Sequence, residues 1–268
     1  MSISSIIELW DSVLYSLYNI VVRISFITSF FKIKKCLSGN KEYKNKYKGQ
    51  RCFIVLNGPS INSHDLTPLE KEYVFASNYF YRAPLAQVVN PNFYCWLDAK
   101  IFSEDCAPII IKDILKLCPN ADLLLNYKAY NVIKKHERVH YVCTKHIPNM
   151  FVLKNNLAGV CSNFTSVAFF AMAAAIYMGF SKIYVLGLDF EPGGFKHFVN
   201  LGEDAECERS EDKASKDEVC GLHWGYAKAQ YESFYISKYA QKRGAEIVNL
   251  NPESCIRSFP FSKFEKII

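Results

Sequence analysis

The segment 162–190 constrains the fold most, because it places an apolar helix directly before an apolar strand. Residues 162–166 supply helix-capping side chains, and Val167–Met178 is alanine-rich and apolar on nearly all sides, as in a buried helix. Gly179 follows as a helix-ending residue, and 183–186 is a short run of strand-forming residues that ends in a glycine. A helix followed by a buried strand and a glycine loop is one step of a parallel α/β sheet.

Short apolar runs bounded by glycine, proline or asparagine recur along the chain and predict further buried strands. These runs are 51–56, 73–77, 92–97, 121–125, 139–143 and 245–250. Helices are expected over about 102–117 and about 222–243, and the charged segment 191–221 is expected to be a mobile loop or lid. The sequence therefore predicts an α/β fold with a parallel sheet flanked by helices.

The N-terminal segment 1–49 differs in character from the rest. Residues 12–31 are largely apolar, interrupted by Asn19 and Arg23, and residues 32–51 hold eight basic residues against one acid. No basic stretch precedes the apolar run, which argues against a cleaved signal peptide, and Arg23 near its middle makes a membrane-spanning helix costly. We therefore predict an amphipathic helix in the plane of a membrane, followed by a basic segment near anionic lipid. The alternative is a helix packed on the domain or on a second subunit of a homo-oligomer.

Composition narrows the class of protein and its location. Half of the 268 residues are hydrophobic and the formal net charge is +6, so the chain can bury a large core and is not disordered. Its ten cysteines show no C-x-x-C spacing, so we predict reduced thiols, no zinc ribbon or finger, and a cytoplasmic protein. The apolar and basic N-terminal segment predicts that this protein is peripheral on the inner face of the cytoplasmic membrane. Nucleic-acid binding is not expected, because only the basic N-terminal block favours it.

Polar or glycine residues stand where the predicted strands end. They are Asn57-Gly58-Pro59-Ser60 after the first strand, then Asn78, Asp98, Gly187 with Asp189, and Asn249 with Asn251. Because the carboxyl ends of parallel strands share one edge of a sheet, these residues predict one ligand-binding crevice. A glycine turn after a strand lets the backbone approach a phosphate closely, and a simple tight turn is the alternative interpretation of the same four residues.

The strand-end motifs exclude several common sites. The turn at 57–60 is neither a Walker A loop nor a G-x-G-x-x-G fingerprint, so it supports neither a P-loop nor NAD binding. Asp98 and Asp189 belong to no Asp-x-Asp pair, so no metal site is predicted. The simplest interpretation of either aspartate is a helix cap or a turn residue.

Two histidines are candidates for chemistry. His223 lies at the predicted start of a helix, directly after the predicted lid, where it is exposed enough to act and held well enough to be aimed as a general base. His197 lies inside the lid beside Lys196, and it would meet an anionic leaving group there. Three others are expected near the surface without a catalytic role: His136, His140 and His146.

Taken in chain order, these motifs resemble a known group of proteins. The motifs are Asn57-Gly58-Pro59-Ser60, 77–80, 162–180, 183–190, His223 and 251–254. Their order and spacing resemble the bacterial CMP-sialic-acid-dependent sialyltransferases of the Campylobacter type. They also resemble the related DUF115 proteins, which include motility accessory factors and the archaeal 6-hydroxymethylpterin diphosphokinase. The resemblance covers about residues 50–258.

The resemblance implies a single Rossmann-like domain over 50–268 with a lid. It also implies a metal-independent, inverting glycosyltransferase that needs no cofactor beyond its donor, a CMP-activated ulosonic, sialic-acid-like sugar. The acceptor would be a surface glycan such as lipopolysaccharide or capsule. The implied donor-binding residues are Asn57, Gly58, Pro59, Ser60, Asn78, Asp98, Thr165, Ser166, Gly187, Asp189 and Phe190. Among them, Thr165 or Ser166 would cap the helix toward the donor, and Asp189 and Phe190 would border the cytosine pocket. His223 matches the family's general base, which removes the acceptor hydroxyl proton.

Three positions depart from the sialyltransferase pattern. Asp98 stands where those enzymes carry an asparagine, and Glu191 and His197 stand where they place two tyrosines on the leaving phosphate. We therefore expect His197, with Lys196 beside it, to neutralise the charge that develops on the leaving phosphate. The lid 191–221 would close over the donor and exclude water, because hydrolysis competes with transfer.

Two other functions are compatible with the sequence. An enzyme similar to the pterin diphosphokinase would bind ATP with Mg²⁺ instead of a CMP-sugar. A non-catalytic protein whose helix 5–31 mediates assembly would bind no nucleotide and would be insensitive to substitution of His223. Nucleotide binding with and without a metal separates the three functions.

Overall fold

Eight parallel strands form one sheet in the residues that the computed structural model describes, which are 3–29, 31–98, 107–133, 136–190 and 216–268. The strands are β1 (Arg51–Val55), β2 (Val74–Ser77), β3 (Phe93–Trp96), β4 (Asp122–Asn126), β5 (Val139–His146), β6 (Val160–Ser162), β7 (Lys182–Leu186) and β8 (Glu246–Asn249). Their order across the sheet is β6-β5-β4-β3-β2-β1-β7-β8, and each neighbouring pair is parallel. The predicted α/β fold with a parallel sheet is confirmed.

The direction in which strands are added reverses between β1 and β7. From β1 the chain adds strands outward through β6, and it then returns to place β7 on the other side of β1. At this centre, Ile54 of β1 lies between Phe75 of β2 and Val185 of β7. In open α/β sheets such a switch point opens a crevice beyond the carboxyl ends of the two strands, and ligands bind there.

Each of the seven predicted strands is present, and one further strand was not predicted. β6 is only three residues long, too short to show a hydrophobic period. It pairs with the end of β5, where Cys143 lies opposite Val160. This pairing extends β5 to His146, three residues beyond the end that we predicted.

Six α-helices occur in the described part of the chain. They are α1 (Ile3–Ser29), α2 (Phe31–Ser38), α3 (Leu85–Val89), α4 (Ala107–Leu117), α5 (Val167–Met178) and α6 (Lys216–Lys242). The short helices α2 and α3 were not predicted. Residues 216–221, which we predicted as part of a loop, are helical. Their composition suits an exposed helix turn as well as a loop, so it did not distinguish the two.

Helices cover both faces of the sheet. On one face α5 and α6 pack around side chains such as Phe169, Phe180 and Ile236. On the other face α3 and α4 pack around Ala86 and Ile114. All residues of α5 except the first are buried, which explains why this helix is apolar on all sides.

The lysine-rich segment after α2 is part of the domain. Tyr43 is buried against Phe93, and its hydroxyl donates to Asp122 at 2.6 Å. The buried Asn40 amide donates to the backbone carbonyls of Tyr141 and Leu157, each at 2.8 Å. The predicted boundary near residue 49 therefore does not separate this segment from the Rossmann-like domain.

Helix α1 packs on the domain through its polar side. Asn19 exchanges two hydrogen bonds with the backbone of Ile147, at 2.9 and 2.8 Å. The hydroxyl of Tyr235 in α6 donates to Glu8 at 2.9 Å. Packing on the domain, the alternative for this segment, is therefore observed. Among the helices of the described residues, none has both the length and the apolar character that crossing a membrane requires.

His146 is buried, whereas we expected it near the surface. It is 2% exposed at the end of β5, the strand against which α1 packs. Burial, together with the positive charges of Arg23 and Lys154, lowers its pKa to about 4. The imidazole is therefore neutral at physiological pH and is part of the contact between α1 and the sheet.

The described cysteines are all free thiols. They are Cys36, Cys52, Cys95, Cys118, Cys143, Cys161, Cys220 and Cys255. Burial raises the pKa of Cys95, Cys118 and Cys161 above the ordinary range. These buried thiols therefore stay protonated and act as small apolar side chains.

Candidate functional site

A cavity of about 1210 Å³ lies at the carboxyl ends of the strands, beside the switch point between β1 and β7. Ten of the eleven expected donor-binding residues line it: Asn57, Gly58, Pro59, Asn78, Asp98, Thr165, Ser166, Gly187, Asp189 and Phe190. Ser60 does not line the cavity and is instead hydrogen-bonded to Asp189. The residues at the strand ends therefore meet at one cavity, as the parallel sheet predicts, and their contact with a nucleotide remains a prediction.

The Asp189 carboxylate joins the loops that follow β1, β7 and β8. One oxygen accepts from the Ser60 hydroxyl at 2.5 Å and from the Asn251 amide at 2.7 Å. The other accepts from the Ser60 backbone N–H at 2.9 Å. Asp189 is 5% exposed, so these bonds lie away from bulk solvent. Both of its oxygens are used by the protein, which makes Asp189 a residue that holds the cavity wall in shape.

Gly58 is required by the close approach of two loops. A Cβ at this position would lie 2.4 Å from the carbonyl oxygen of Gly187 and 2.5 Å from Oδ2 of Asp189. The Gly58 N–H also donates to that carbonyl at 3.1 Å. The turn after β1 can therefore lie against the turn after β7 only when its second residue lacks a side chain.

Two residues of the cavity wall other than glycine have a left-handed backbone. Asn78, after β2, has φ 50°, and Phe190, after β7, has φ 51°. Asparagine tolerates this region, but a phenylalanine there is strained and needs support from its surroundings. The ring of Phe190 is held by contacts with Phe169 at 6.0 Å and Tyr226 at 5.7 Å between ring centroids. Strain of this kind concentrates at ligand sites, and here both residues face the cavity.

Three buried polar atoms among the lining residues lack a hydrogen-bond partner in the described structure. They are Oδ1 of Asn57, Oγ of Ser77 and Oγ1 of Thr144. Buried polar atoms are nearly always satisfied in folded proteins, because an unpaired one costs about 1–3 kcal/mol. Almost none of the area of these three atoms is open to the cavity, so a ligand would reach them only after a side chain moves.

The amino terminus of α5 faces the same cavity. Ser166 is the N-cap, and its hydroxyl accepts from the Ala168 N–H at 3.2 Å, which decides between the two capping candidates. Asn163 and Thr165, just before the helix, also line the cavity. The free N–H groups and the dipole of a helix amino terminus favour an anionic ligand.

Glu232 of α6 holds this loop in place, and sequence reasoning missed it. Its carboxylate accepts from the Thr165 N–H at 2.7 Å and from the Thr165 hydroxyl at 3.0 Å. The residue is 1% exposed, and burial raises its pKa to about 7 even though both hydrogen bonds oppose the rise. In the sequence it is an ordinary glutamate within a helix, and only packing against α5 reveals its role.

We predict that Glu232→Gln reduces the dependence of stability on pH. Between about pH 4.5 and about pH 7 the folded protein keeps a proton on Glu232 that the unfolded chain has released. This favours folding at low pH and is lost as the pH rises through 7, a change of about 3 kcal/mol in the free energy of unfolding. Glutamine can still accept from the Thr165 N–H. Denaturant unfolding of both proteins at pH 5 and pH 8 measures the effect. Equal pH slopes would contradict the prediction.

Basic and polar side chains that we did not predict complete the cavity. Asn126 is the last residue of β4 and Lys128 follows it, and Lys145 and Thr144 belong to the end of β5. Their position after predicted strands was a usable signal, because all strand ends of a parallel sheet lie at the same edge. The two lysines add positive charge to a cavity that already receives the amino terminus of α5.

Neither of the two predicted catalytic histidines is among the residues that line the described cavity. His223 is exposed on α6 and is not among the residues that line the cavity, whereas Gly221, Gly225 and Tyr226 of the same helix are. His197 lies outside the described residues, as do Lys196 and Glu191. Within the described ranges, no three histidine, cysteine or carboxylate side chains form a group that could hold a metal ion. The roles of His223 and His197 stay predictions.

More than half of the chain matches one family. Residues 25–193 match the family described as 6-hydroxymethylpterin diphosphokinase MptE-like. The match begins inside α1 and ends just after the Asp189 loop, so it includes β1 to β7 and most of the cavity wall. No curated protein matches the chain in sequence.

Solved glycosyltransferase structures are similar to this chain at low identity. The sialyltransferase CstII from Campylobacter jejuni, with the substrate analogue CMP-3FNeuAc, has 14% identity and a TM-score of 0.47 over 79% of this chain and 85% of that one. The monofunctional α-2,3-sialyltransferase Cst-I from the same organism has 16% identity and a TM-score of 0.47 over 80% of each chain. The MAf glycosyltransferase from Magnetospirillum magneticum AMB-1 has 13% identity and a TM-score of 0.47 over 87% of this chain and 38% of that one. Similarity at this level assigns no reaction to the chain.

Proposed function

This chain belongs to the 6-hydroxymethylpterin diphosphokinase MptE-like family, and from that premise we propose that it is a glycosyltransferase that binds a nucleotide-activated sugar in the cavity at the switch point. The observation that carries the proposal is the positive charge that one cavity gathers. The amino terminus of α5 lines it together with Lys128 and Lys145, and the turn after β1 forms its wall. The helix dipole and the two lysines favour an anion such as the phosphate of a nucleotide, whereas the Gly58 and Ser60 N–H groups are already bonded to Gly187 and Asp189.

The donor that we propose is a CMP-activated ulosonic, sialic-acid-like sugar, used without a metal ion. Its support is the order of the motifs from Asn57 to 251–254, which resembles that of the CMP-sialic-acid-dependent enzymes. Asn57 and Asn78 line the cavity and would hydrogen-bond the polar groups of such a nucleotide. Asp189 would shape the cytosine pocket through the Phe190 loop.

The reaction would be an inverting transfer. A hydroxyl oxygen of the acceptor forms the new bond to the anomeric carbon, and the bond from that carbon to the CMP phosphate oxygen breaks through an oxocarbenium-like transition state. His223 takes the hydroxyl proton, and the electron pair leaves with CMP. His197 and Lys196 would offset the charge that grows on the departing phosphate.

The acceptor would be a surface glycan such as lipopolysaccharide or capsule, and the protein would lie on the inner face of the cytoplasmic membrane. The support is the apolar helix α1, which adjoins the cavity, and the lysine-rich stretch that follows it.

The description of the matching family favours a second candidate. A diphosphokinase of the 6-hydroxymethylpterin type would bind ATP with Mg²⁺ in the same cavity, and the amino terminus of α5 would suit its phosphates equally well. Asp98 and Asp189 are the carboxylates that line the described cavity, and Asp189 has both oxygens engaged by protein donors.

Calorimetry with CMP, CDP, UDP and ATP, first in EDTA and then with Mg²⁺, tests the proposal. We expect CMP to bind in EDTA at least about tenfold more tightly than UDP or ATP, because a pocket built for one base leaves its polar groups unpaired with another. Binding of ATP alone, and only with Mg²⁺, would replace the proposal by the diphosphokinase. Binding of none of the four would favour a non-catalytic protein.

A further inference from the structure

Helix α1 presents its apolar side to the outside. Ser12 and Asn19 are 1% and 4% exposed and face the domain, whereas Trp10, Leu17 and Ile24 are 65%, 57% and 59% exposed. In all, 13 large apolar side chains of this helix are exposed. A helix at the surface of a water-soluble domain normally has the opposite orientation, with its apolar stripe toward the core. We call this exposed apolar side the outer face of α1.

The outer face continues into the wall of the cavity. Tyr18 and Val21 are 48% and 64% exposed, and both line the cavity, together with Val22 and Ser25 one helical turn away. Lys128, after β4, and Ile147, after β5, line the same cavity. A molecule with an apolar chain and a polar head could therefore lie along α1 with its head inside the cavity.

Charge identifies what covers the outer face. Lys34 and Lys35 follow α1, and the Lys34 ammonium donates to the Ile27 carbonyl at the end of that helix, whereas residues 45–51 lie at the opposite edge of the sheet, beside the carboxyl end of α5. Anionic lipid attracts Lys34 and Lys35, whereas a second copy of the chain would bring two like-charged segments together. Trp10 and Tyr18 are the residue types that settle at a lipid–water boundary.

We propose that the outer face of α1 lies in the surface of an anionic membrane and that the cavity opens at that surface, so that the acceptor is a glycan carried on a membrane lipid. The inference rests on the proposed glycosyltransferase function for the chemistry of the acceptor. The membrane contact itself rests only on the orientation of α1 and on charge.

Tryptophan fluorescence tests the membrane contact. The chain has three tryptophans, of which Trp96 is buried, so Trp224→Phe leaves Trp10 as the exposed reporter. Vesicles of phosphatidylcholine with about one third phosphatidylglycerol, made with brominated acyl chains, should quench Trp10, and vesicles of phosphatidylcholine alone should quench it much less. Absence of quenching in the anionic vesicles would overturn the membrane contact.

A matched pair of double variants locates the contact. Leu17→Glu with Ile24→Glu places two charges on the outer face of α1 and should weaken co-sedimentation with anionic vesicles by about tenfold or more. Val88→Glu with Ile109→Glu adds the same charge at two exposed apolar positions on α3 and α4 and should sediment with vesicles as the parent does, apart from a small electrostatic loss. Equal losses in the two variants would overturn the assignment to α1. A parent dimer that only the α1 variant dissociates, without vesicle binding, would assign the face to a second copy.

A reporter at the rim tests whether the cavity opens at the membrane. Val21→Trp, in a protein that also carries Trp10→Phe and Trp224→Phe, places a tryptophan where the outer face meets the cavity. Quenching of this reporter by the brominated anionic vesicles is expected. If Trp10 is quenched and the reporter at 21 is not, the cavity does not open at the lipid surface and the inference about the acceptor fails.

Failure of this inference and failure of the proposed function give different results. CMP binding by calorimetry is measured without vesicles, on the parent and on Leu17→Glu with Ile24→Glu, whose side chains do not line the cavity. Intact CMP binding without vesicle contact overturns the membrane inference alone. Vesicle contact without CMP binding overturns the proposed donor and leaves only the docking surface.

Discussion

Replacing Asp189 by alanine is expected to lower the free energy of unfolding by about 3–5 kcal/mol and to abolish measurable nucleotide binding. The substitution leaves the Ser60 N–H, the Ser60 hydroxyl and the Asn251 amide without the acceptor that each now uses. Asp189 is 5% exposed, so water replaces its carboxylate poorly, and the half-buried Ser60 and Asn251 are satisfied by water only in part. The loops after β1, β7 and β8 would then separate, and the turn at Gly58 would lose its place against Gly187.

Denaturant unfolding and CMP calorimetry measure the two effects. Asp98→Ala is the matched control, because Asp98 lines the same cavity and is not one of the residues bonded to Ser60 or Asn251. It should lose affinity for the nucleotide with a much smaller loss of stability. If Asp189→Ala unfolds within about 1 kcal/mol of the parent, the carboxylate is not the element that holds the loops together.

Replacing His223 by alanine is expected to lower turnover by about 10²- to 10⁴-fold, the usual contribution of a general base, while CMP binding stays unchanged. The side chain is exposed on α6, so its removal should leave the free energy of unfolding within about 0.5 kcal/mol. At 3.6 residues per turn His223 projects from the side of α6 opposite to Gly221 and Gly225, which line the cavity, so the prediction requires that this end of α6 changes its path when an acceptor binds.

The measurement is transfer from a CMP-activated ulosonic acid, with loss of acceptor hydroxyl as the readout. His136→Ala is the control, because this exposed histidine lies before β5 and does not line the cavity. Turnover by His223→Ala that equals the turnover of the parent would remove His223 from the mechanism. In that case another residue at the cavity must act as the base.

The elements that sequence reasoning found share a physical property. A buried parallel strand is apolar on both faces, so it produces an uninterrupted apolar run, and the strand must end in a turn that asparagine, glycine or proline forms easily. For this reason β1 to β5, β7, β8 and α5 were predicted. The same rule led to Asn57, Asn78, Asp98 and Asp189, because strand ends of a parallel sheet meet at one edge.

The elements that were missed lack such a property. β6 is three residues long and is a strand only because β5 lies beside it. The helical residues 216–221 are charged and were interpreted as a loop, since composition does not distinguish a solvated helix turn from a solvated loop. His146 was expected near the surface from its sequence context. The packing of α1 against β5, two segments that are far apart in the sequence, buries it.

The sequence by itself determined the α/β class, the strands, the buried helix α5 and the polar strand ends, because each depends on a local pattern of apolar and turn-forming residues. Only the tertiary structure decided that Asp189 is consumed by Ser60 and Asn251, that Glu232 holds Thr165, and that α1 turns its apolar side outward. Each of these depends on which surfaces meet across long stretches of chain. A local pattern shows that a helix has two faces, but only the packing of the whole chain decides which of them meets the protein.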